Sequence, residues 1–225
     1  MDLTNNITAV KPTRFRWTVA CIFFMAYVVA AADRANFGVA MPFIREEYHI
    51  SNTEAGAIIS IFLLFYAIFQ IPAAWFLSKF GNRKAVPLAM IGTSLATGFI
   101  GMTTSLYQLL FARALLGTVE APLPLGITST INRWFPVKEK GTATGIFLAA
   151  AKFGPVLVPP VCTAIAAIWG WREIFYIFAI PGLLISVIWY FMITNNPEES
   201  KHVNTQELAY INDKSPNDDN PAKEK

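Results

Sequence analysis

Residues 17–44, WTVACIFFMAYVVAAADRANFGVAMPFI, decide how this chain is read. The run is long and largely apolar, yet Asp33 and Arg34 stand side by side within it. A bilayer core takes ~20 predominantly apolar residues per helix, so the stretch is a membrane span. Charge at that depth costs ~2.5–3.5 kcal/mol per residue on insertion scales. Residues kept there at such a cost face a bundle interior or a water-filled cavity, and mark a path for substrate or ions. Arg113, Glu120 and Lys152 occupy apolar stretches further on. The function of the chain turns on what these five charges do together.

The composition agrees. Hydrophobic residues make up 54% of the chain and charged residues 15%, with a mean hydropathy of +0.44. Soluble domains carry about 25% charged residues, which places this chain among membrane proteins. The net charge is only +3, and no basic block interleaved with aromatics points to nucleic acid. Cys21 and Cys162 both lie in apolar segments, which suggests neither a disulfide framework nor a metal site. Zinc-ligand spacing, a nucleophile–base pair and a phosphate-cradling glycine loop are all missing, and His49 and His202 fall in loops. An enzyme is therefore not expected, nor is a cofactor.

Six stretches are long and apolar enough to span: 17–44, 54–77, 85–103, 106–131, 142–168 and 174–193. Lys11, Arg14, Arg16 and the small residues 29–32 resemble a cleaved leader. The apolar run continues past Asp33 and Arg34, however, so the first stretch reads as a transmembrane helix. The chain divides into a cytoplasmic segment 1–16, a bundle 17–194 and a polar, solvated tail 195–225, with one short helix expected around 206–211. Orientation follows from Lys and Arg, which favour the cytoplasmic side of short loops. With the first residue inside, inner segments hold Lys11, Arg14, Arg16, Lys79, Arg83, Lys84, Arg133, Lys138 and Lys140, and outer ones hold only Arg45 and Arg172. Both termini are then cytoplasmic, in a multi-pass protein of the cell membrane.

Small residues let helix backbones approach in a membrane. Gly141-x3-Gly145, Gly98, Gly101 and residues 149–151 ahead of Gly154 are spaced for that, and packing is their expected role. Pro122, Pro124, Pro155, Pro159, Pro160 and Pro181 are expected to interrupt helices, which is tolerated where protein or a cavity satisfies the freed carbonyls.

Counting ~1.5 Å of rise per residue from the inner face gives each charge a depth. Asp33 lies roughly 24 Å up and Arg113 roughly 27 Å, whereas Glu120 and Lys152 lie at roughly 15–17 Å. Two layers result: Asp33 with Arg34 and Arg113, then Glu120 with Lys152. Arg113 and Glu120 are seven apart, and Tyr66 and Gln70 four apart, so each pair shares a helix face. One reading is structural, with Asp33 and Arg113 bridging helices and Tyr66 and Gln70 as satisfied polar groups. Arg34 is harder to neutralise, and an organic anion is its natural missing partner.

The stretch 74–84, AWFLSKFGNRK, resembles the loop between the second and third helices of major facilitator superfamily transporters. Arg113-x3-Gly117 resembles that superfamily's fourth-helix motif. More specific are residues 117–122, GTVEAP, and 132–141, NRWFPVKEKG. Together with Asp33-Arg34, Gly170-Trp171-Arg172, and Pro197-Glu198-Glu199 through residues 207–211, they resemble the anion:cation symporter family. That family includes galactonate, glucarate, hexuronate and phthalate permeases.

The resemblance covers about residues 14–211 and implies an all-α membrane fold of six helices in two inverted three-helix repeats. This is the N-terminal half of a twelve-helix fold, with the substrate site at the midplane between halves. It further implies that Arg34 binds a substrate carboxylate, with Tyr66, Gln70 and Lys152 also facing substrate. Asp33 and Glu120 become the protonatable carboxylates of proton symport, with Arg113 as ion-pair partner of Asp33. Lys79, Gly81, Arg83 and Lys84 form the gating loop. The implied partners are a small organic anion such as a sugar acid, protons, the lipid bilayer and a separate six-helix half. Ser78 stands where the loop motif usually has Asp, and Ala74 where it often has Gly, which weakens the gating contact. Lys152 stands where sugar-acid permeases usually have an amide; it suits either a dianionic substrate or a counter-ion role toward Glu120. Other readings are exchange of phosphorylated or sulfonated anions, or a non-transporting product that needs a six-helix partner.

Overall fold

A computed structural model describes residues 12–212 of the chain. Lys11, the rest of segment 1–11 and the tail beyond 212 lie outside the described residues. The order is α1 (Phe15–Tyr48), α2 (Asn52–Ile68), α3 (Gln70–Phe80), α4 (Asn82–Met102) and α5 (Leu106–Glu120). There follow α6 (Pro122–Trp134), α7 (Val137–Trp169), α8 (Trp171–Met192), a short 3-10 turn (Pro197–Glu199) and α9 (Thr205–Ile211). Five helical segments are long and apolar enough to cross a membrane, with α5 and α6 forming one of them; the bent pair α2–α3 makes a sixth. The six expected spans are thus present.

Local chemistry sets the ends and breaks. Ser51 and Glu54 form a reciprocal capping box that starts α2, each side chain accepting from the other's backbone N–H. The bend of 47° between α2 and α3 falls three residues before Pro72. Proline lacks an N–H and its ring crowds the carbonyl four residues back, here Ile68, where α2 ends. Pro122 likewise stands at the first position of α6, just after the break at Ala121. Contrary to expectation, α7 and α8 run unbroken through Pro155, Pro159, Pro160 and Pro181. In α7 the hydroxyl of Thr163 donates to the Pro159 carbonyl at 2.8 Å.

The helices pair as α1 with α7, α2 with α5 and α4 with α8, and α1–α8 contact is matched by α4–α5 contact. This pattern maps onto itself when α1 exchanges with α5–α6, α2–α3 with α7, and α4 with α8. The two halves of the bundle are therefore the two inverted three-helix repeats. We call the end at which α1 begins the base and the opposite end the top.

Two apolar clusters fill the bundle. The base cluster holds Phe23, Met90, Leu123, Trp134, Ala150 and Trp189. The top cluster holds Phe37, Ile58, Ile100, Leu116, Val158 and Phe175. Where the two clusters meet come Asp33 and Arg34 on α1, Thr93 and Ser94 on α4, Glu120 at the end of α5, and Lys152 with Gly154 on α7. These residues form a polar layer, and further buried polar groups, Asn82 and Thr130 among them, lie toward the base.

The described part of the polar tail, residues 195–212, is not a solvated strand. Residues 194–211 cross the base, where Trp134 Nε1 donates to the Thr194 carbonyl and Pro197, Glu207 and Ile211 are buried. Glu207 accepts from the Thr13 hydroxyl at 2.6 Å, the Phe15 N–H at 3.0 Å and Arg16 Nη1 at 3.0 Å. Arg16 is shared with Glu139, 2.7 Å from its Nε, and its guanidinium lies over the Tyr210 ring. At the top, Arg172 holds Glu47 at 2.6 Å and reaches the Thr103 carbonyl.

Candidate functional site

The polar layer is assembled by two close helix approaches. A side chain at position 117 would collide with the Phe62 carbonyl and lie 3.0 Å from the Tyr66 nitrogen. Only Gly117 lets α5 sit on α2 there. A Cβ at position 154 would stand 2.8 Å from the Val28 carbonyl and 3.1 Å from the Ala32 nitrogen, so Gly154 seats α7 on α1. Gly101 is also tightly packed, against Tyr176 and the Arg172 carbonyl. Gly141 and Gly145 meet nothing within 4 Å, so these two do not pack inside the bundle.

Arg34 is the centre of the site. Its Nε donates to Glu120 Oε1 at 2.8 Å, and Nη2 approaches the same oxygen to 2.6 Å without hydrogen-bond alignment. Its guanidinium lies 5.0 Å from the Tyr66 ring, 5.8 Å from Tyr27 and 5.9 Å from Phe62. Aromatic faces attract a cation and hold it in place. The Arg34 side chain remains 33% exposed while that of Glu120 is 0% exposed. One side of the guanidinium is thus fixed by protein and the other is open.

Asp33 points elsewhere. It is buried, accepts from Asn36 Nδ2 at 3.3 Å, and lies beside Thr97. A cavity of about 10 Å³, lined by Asp33, Thr93, Ser94 and Gly182, adjoins it. That is about the room one water needs. Arg113 is buried with its guanidinium 4.1 Å from the Phe37 ring and 4.5 Å from Phe62. Its Nε and Nη1, and Oε2 of Glu120, have no hydrogen-bond partner among the described residues.

Several expectations change. Asp33 and Arg113 form no direct ion pair within 4 Å among the described residues. Glu120 pairs with Arg34 and not with Lys152, which is exposed. Tyr66 reaches Arg34, and Gln70 begins α3 just beyond the bend. In the gating loop, Lys79 lies over Trp75, and Gly81 adopts φ +72° directly against Asn195. The Arg83 N–H donates to Asn195 Oδ1 at 3.0 Å. Sequence reasoning missed Tyr27, Phe62, Asn195 and the buried Asn82, which donates to the Gly126 carbonyl and to Thr130. Tyr27 was within reach, because it lies seven residues before Arg34 and hence on its face.

Two curated relatives resemble nearly the whole chain. A D-galactonate transporter of Escherichia coli O6:H1 is 34% identical over 213 residues, covering 95% of this chain and 49% of the relative. A probable galactarate/D-glucarate transporter of Escherichia coli K12 is 31% identical over 209 residues, covering 90% of this chain and 47% of the relative. The chain spans about half the length of these relatives. Among solved structures, the inward-open xylose transporter XylE from E. coli superposes with a TM-score of 0.74 at 17% identity, over 88% of this chain and 55% of that one. The fold is thus that of an N-terminal six-helix half, and its apolar helices make this a multi-pass membrane protein. The Major Facilitator Superfamily model matches residues 23–219, and the chain belongs to that superfamily.

Proposed function

We propose that this bundle forms one wall of a permease for small organic anions of the sugar-acid class, working by proton symport as a member of the anion:cation symporter family. One observation carries the reading: a guanidinium boxed by three aromatic rings, backed by a buried carboxylate, and open on its remaining side. Arg34 is the substrate-carboxylate ligand, with Tyr66 beside it. Gln70 and Lys152 contribute from the bend and from α7.

Competition for Arg34 supplies the coupling. While ionised, Glu120 occupies the guanidinium. A proton on Glu120 removes its charge and releases Arg34 to a substrate carboxylate. Asp33, one residue away in its own pocket, is the second proton site. Arg113, with buried unpartnered nitrogens, keeps the layer's balance of charge as carboxylates protonate. The second half closes over the exposed side of α2 and α7, where Gly141 and Gly145 offer bare backbone. Lys79, Gly81, Arg83 and Lys84 form the gate at the base. That base faces the cytoplasm, because the Lys and Arg of short loops concentrate there. The names of the relatives support a sugar-acid substrate. The exposed Lys152 favours a second reading, exchange of a phosphorylated or sulfonated dianion.

The test is uptake of labelled galactonate and galactarate by cells making this chain with its six-helix counterpart, with internal pH recorded. Accumulation with acidification supports symport. Exchange without acidification removes the symport mechanism, and no transport of either anion refutes the sugar-acid reading.

A further inference from the structure

The outer surface of the bundle carries a groove of about 390 Å³ between α4 and α8 at the base. Lys84, Leu88 and Ile91 line one wall, and Val187, Tyr190 and Phe191 the other. From Lys84 to Ile91 a helix climbs about 10 Å, so the groove runs from the membrane edge into the hydrocarbon. At the same end lies a second cavity of about 230 Å³, lined by Arg83, Phe191, Glu199, Ser200, Lys201 and His202 among others. Phe191 borders both cavities. Arg83 joins them again: its Nε donates to the Tyr190 carbonyl at 3.3 Å and its guanidinium lies 5.4 Å from the Tyr190 ring. One cavity is apolar and bilayer-facing. The other is polar and cationic, with Arg83 and Lys201 in it and Lys84 at the groove mouth. Its carboxylate, Glu199, accepts from Asn196 Nδ2 at 2.9 Å, and the Ser200 hydroxyl accepts from the His202 N–H and keeps its own proton to donate.

We infer that the two cavities together bind an anionic glycerophospholipid. One acyl chain lies in the α4–α8 groove, and the phosphate sits among Arg83, Lys84, Lys201 and the Ser200 hydroxyl. Basic pockets at the ends of transmembrane helices bind anionic headgroups in this manner. A free phosphate uses the cationic chamber alone and leaves the groove without a role, whereas a phospholipid uses both. The site touches the gating loop at Arg83 and Lys84 and the base strap at Ser200 and Lys201, so an occupied site ties these two segments to the bilayer.

Native mass spectrometry of the full chain, released from nanodiscs of equal phosphatidylglycerol and phosphatidylcholine, reads this directly. The unmutated protein is expected to retain phosphatidylglycerol about fivefold over phosphatidylcholine. The K84Q/K201Q variant loses the preference, and L88W, which fills the groove, lowers retention of both lipids. Lys84, Lys201 and Leu88 are exposed, so these variants fold, as thermal melting verifies. Equal retention of the two lipids by the unmutated protein overturns the inference, as does a preference that survives K84Q/K201Q. Displacement of phosphatidylglycerol by millimolar inorganic phosphate with no effect of L88W assigns the chamber to free phosphate and also overturns it.

Discussion

The guanidinium of Arg34 and the carboxylate of Glu120 meet because their helices run in opposite directions. Side chains on a helix lean toward its N-terminus. On α1, which rises from the base, Arg34 leans down; on α5, which descends from the top, Glu120 leans up. The pair is 2.6 Å apart at its closest, although the two backbones differ in height by about 9 Å on a simple count of residues. Glu120 ends α5 at the break before Pro122, which gives it a position that an unbroken helix would not.

Arg34→Ala should weaken sugar-acid binding by about 100-fold, in the range found when one partner of a desolvated charge pair is truncated. It also leaves Glu120 buried and unpaired, so the R34A/E120Q double variant separates binding from folding. Arg34→Lys keeps the charge but not the planar fork, and should fall between. Competition binding of labelled galactonate in the complete transporter decides the matter, and unmutated affinity in R34A contradicts the assignment.

Asp33→Asn and Glu120→Gln should each abolish accumulation driven by an acid exterior while leaving substrate exchange in place. Counterflow and pH-jump assays on the same vesicles distinguish the two activities. Acid-driven accumulation persisting in both variants would rule out the coupling scheme.

Lys152→Gln should reduce galactarate uptake about tenfold relative to galactonate if the ammonium meets the second carboxylate, a loss of about 1.4 kcal/mol. An unchanged ratio of the two substrates removes Lys152 from the site.

Gly117→Ala and Gly154→Ala should each destabilise the bundle by about 1–3 kcal/mol, because the added methyl meets backbone and not a flexible side chain. Gly145→Ala, with nothing within 4 Å, should leave the melting point unchanged or raise it slightly, since alanine is the better helix former. Thermal unfolding in detergent compares the three, and equal melting points would refute the packing account.

Glu207→Ala should free the base strap, since it strands the buried Arg16 N–H and Nη1 at a cost of about 1–3 kcal/mol per buried unpaired group. Glu139→Ala should matter less, its side chain being 20% exposed. Limited proteolysis across residues 195–212 is the measurement, and equal cleavage of E207A and unmutated protein would refute the strap's role.

The spans were legible because hydropathy over a window of residues is a property of composition alone. The pairing of charges was not, because depth counting treats each side chain as level with its backbone. The N-terminal lean corrects all three cases at once. Arg34 and Glu120 converge. Asp33 leans down from a lower position while Arg113 leans up from a higher one, and no direct ion pair forms between them. Lys152, on the rising α7, leans away from Glu120. Break positions mattered too: the bend ahead of Pro72 falls between Tyr66 and Gln70, so their spacing alone does not place them on one face. The strap was hidden because a polar composition reads as solvated until a tertiary partner is known. Its one local sign was Asn204 three residues before Glu207, the spacing of a helix cap, and Asn204 Oδ1 does accept from the Glu207 N–H at 2.8 Å.

Glu207 also bears on the order of assembly during synthesis. The groups it gathers at the base lie 191 to 194 positions upstream. Thr13 and the Phe15 N–H therefore leave the ribosome without this partner, and stay so until every helix of the bundle has been made. Insertion of the helices can proceed from the first span onward, but locking of the base waits for α9. A nascent chain arrested before residue 207 should hold its six helices with an open base, which α9 then closes over the start of α1.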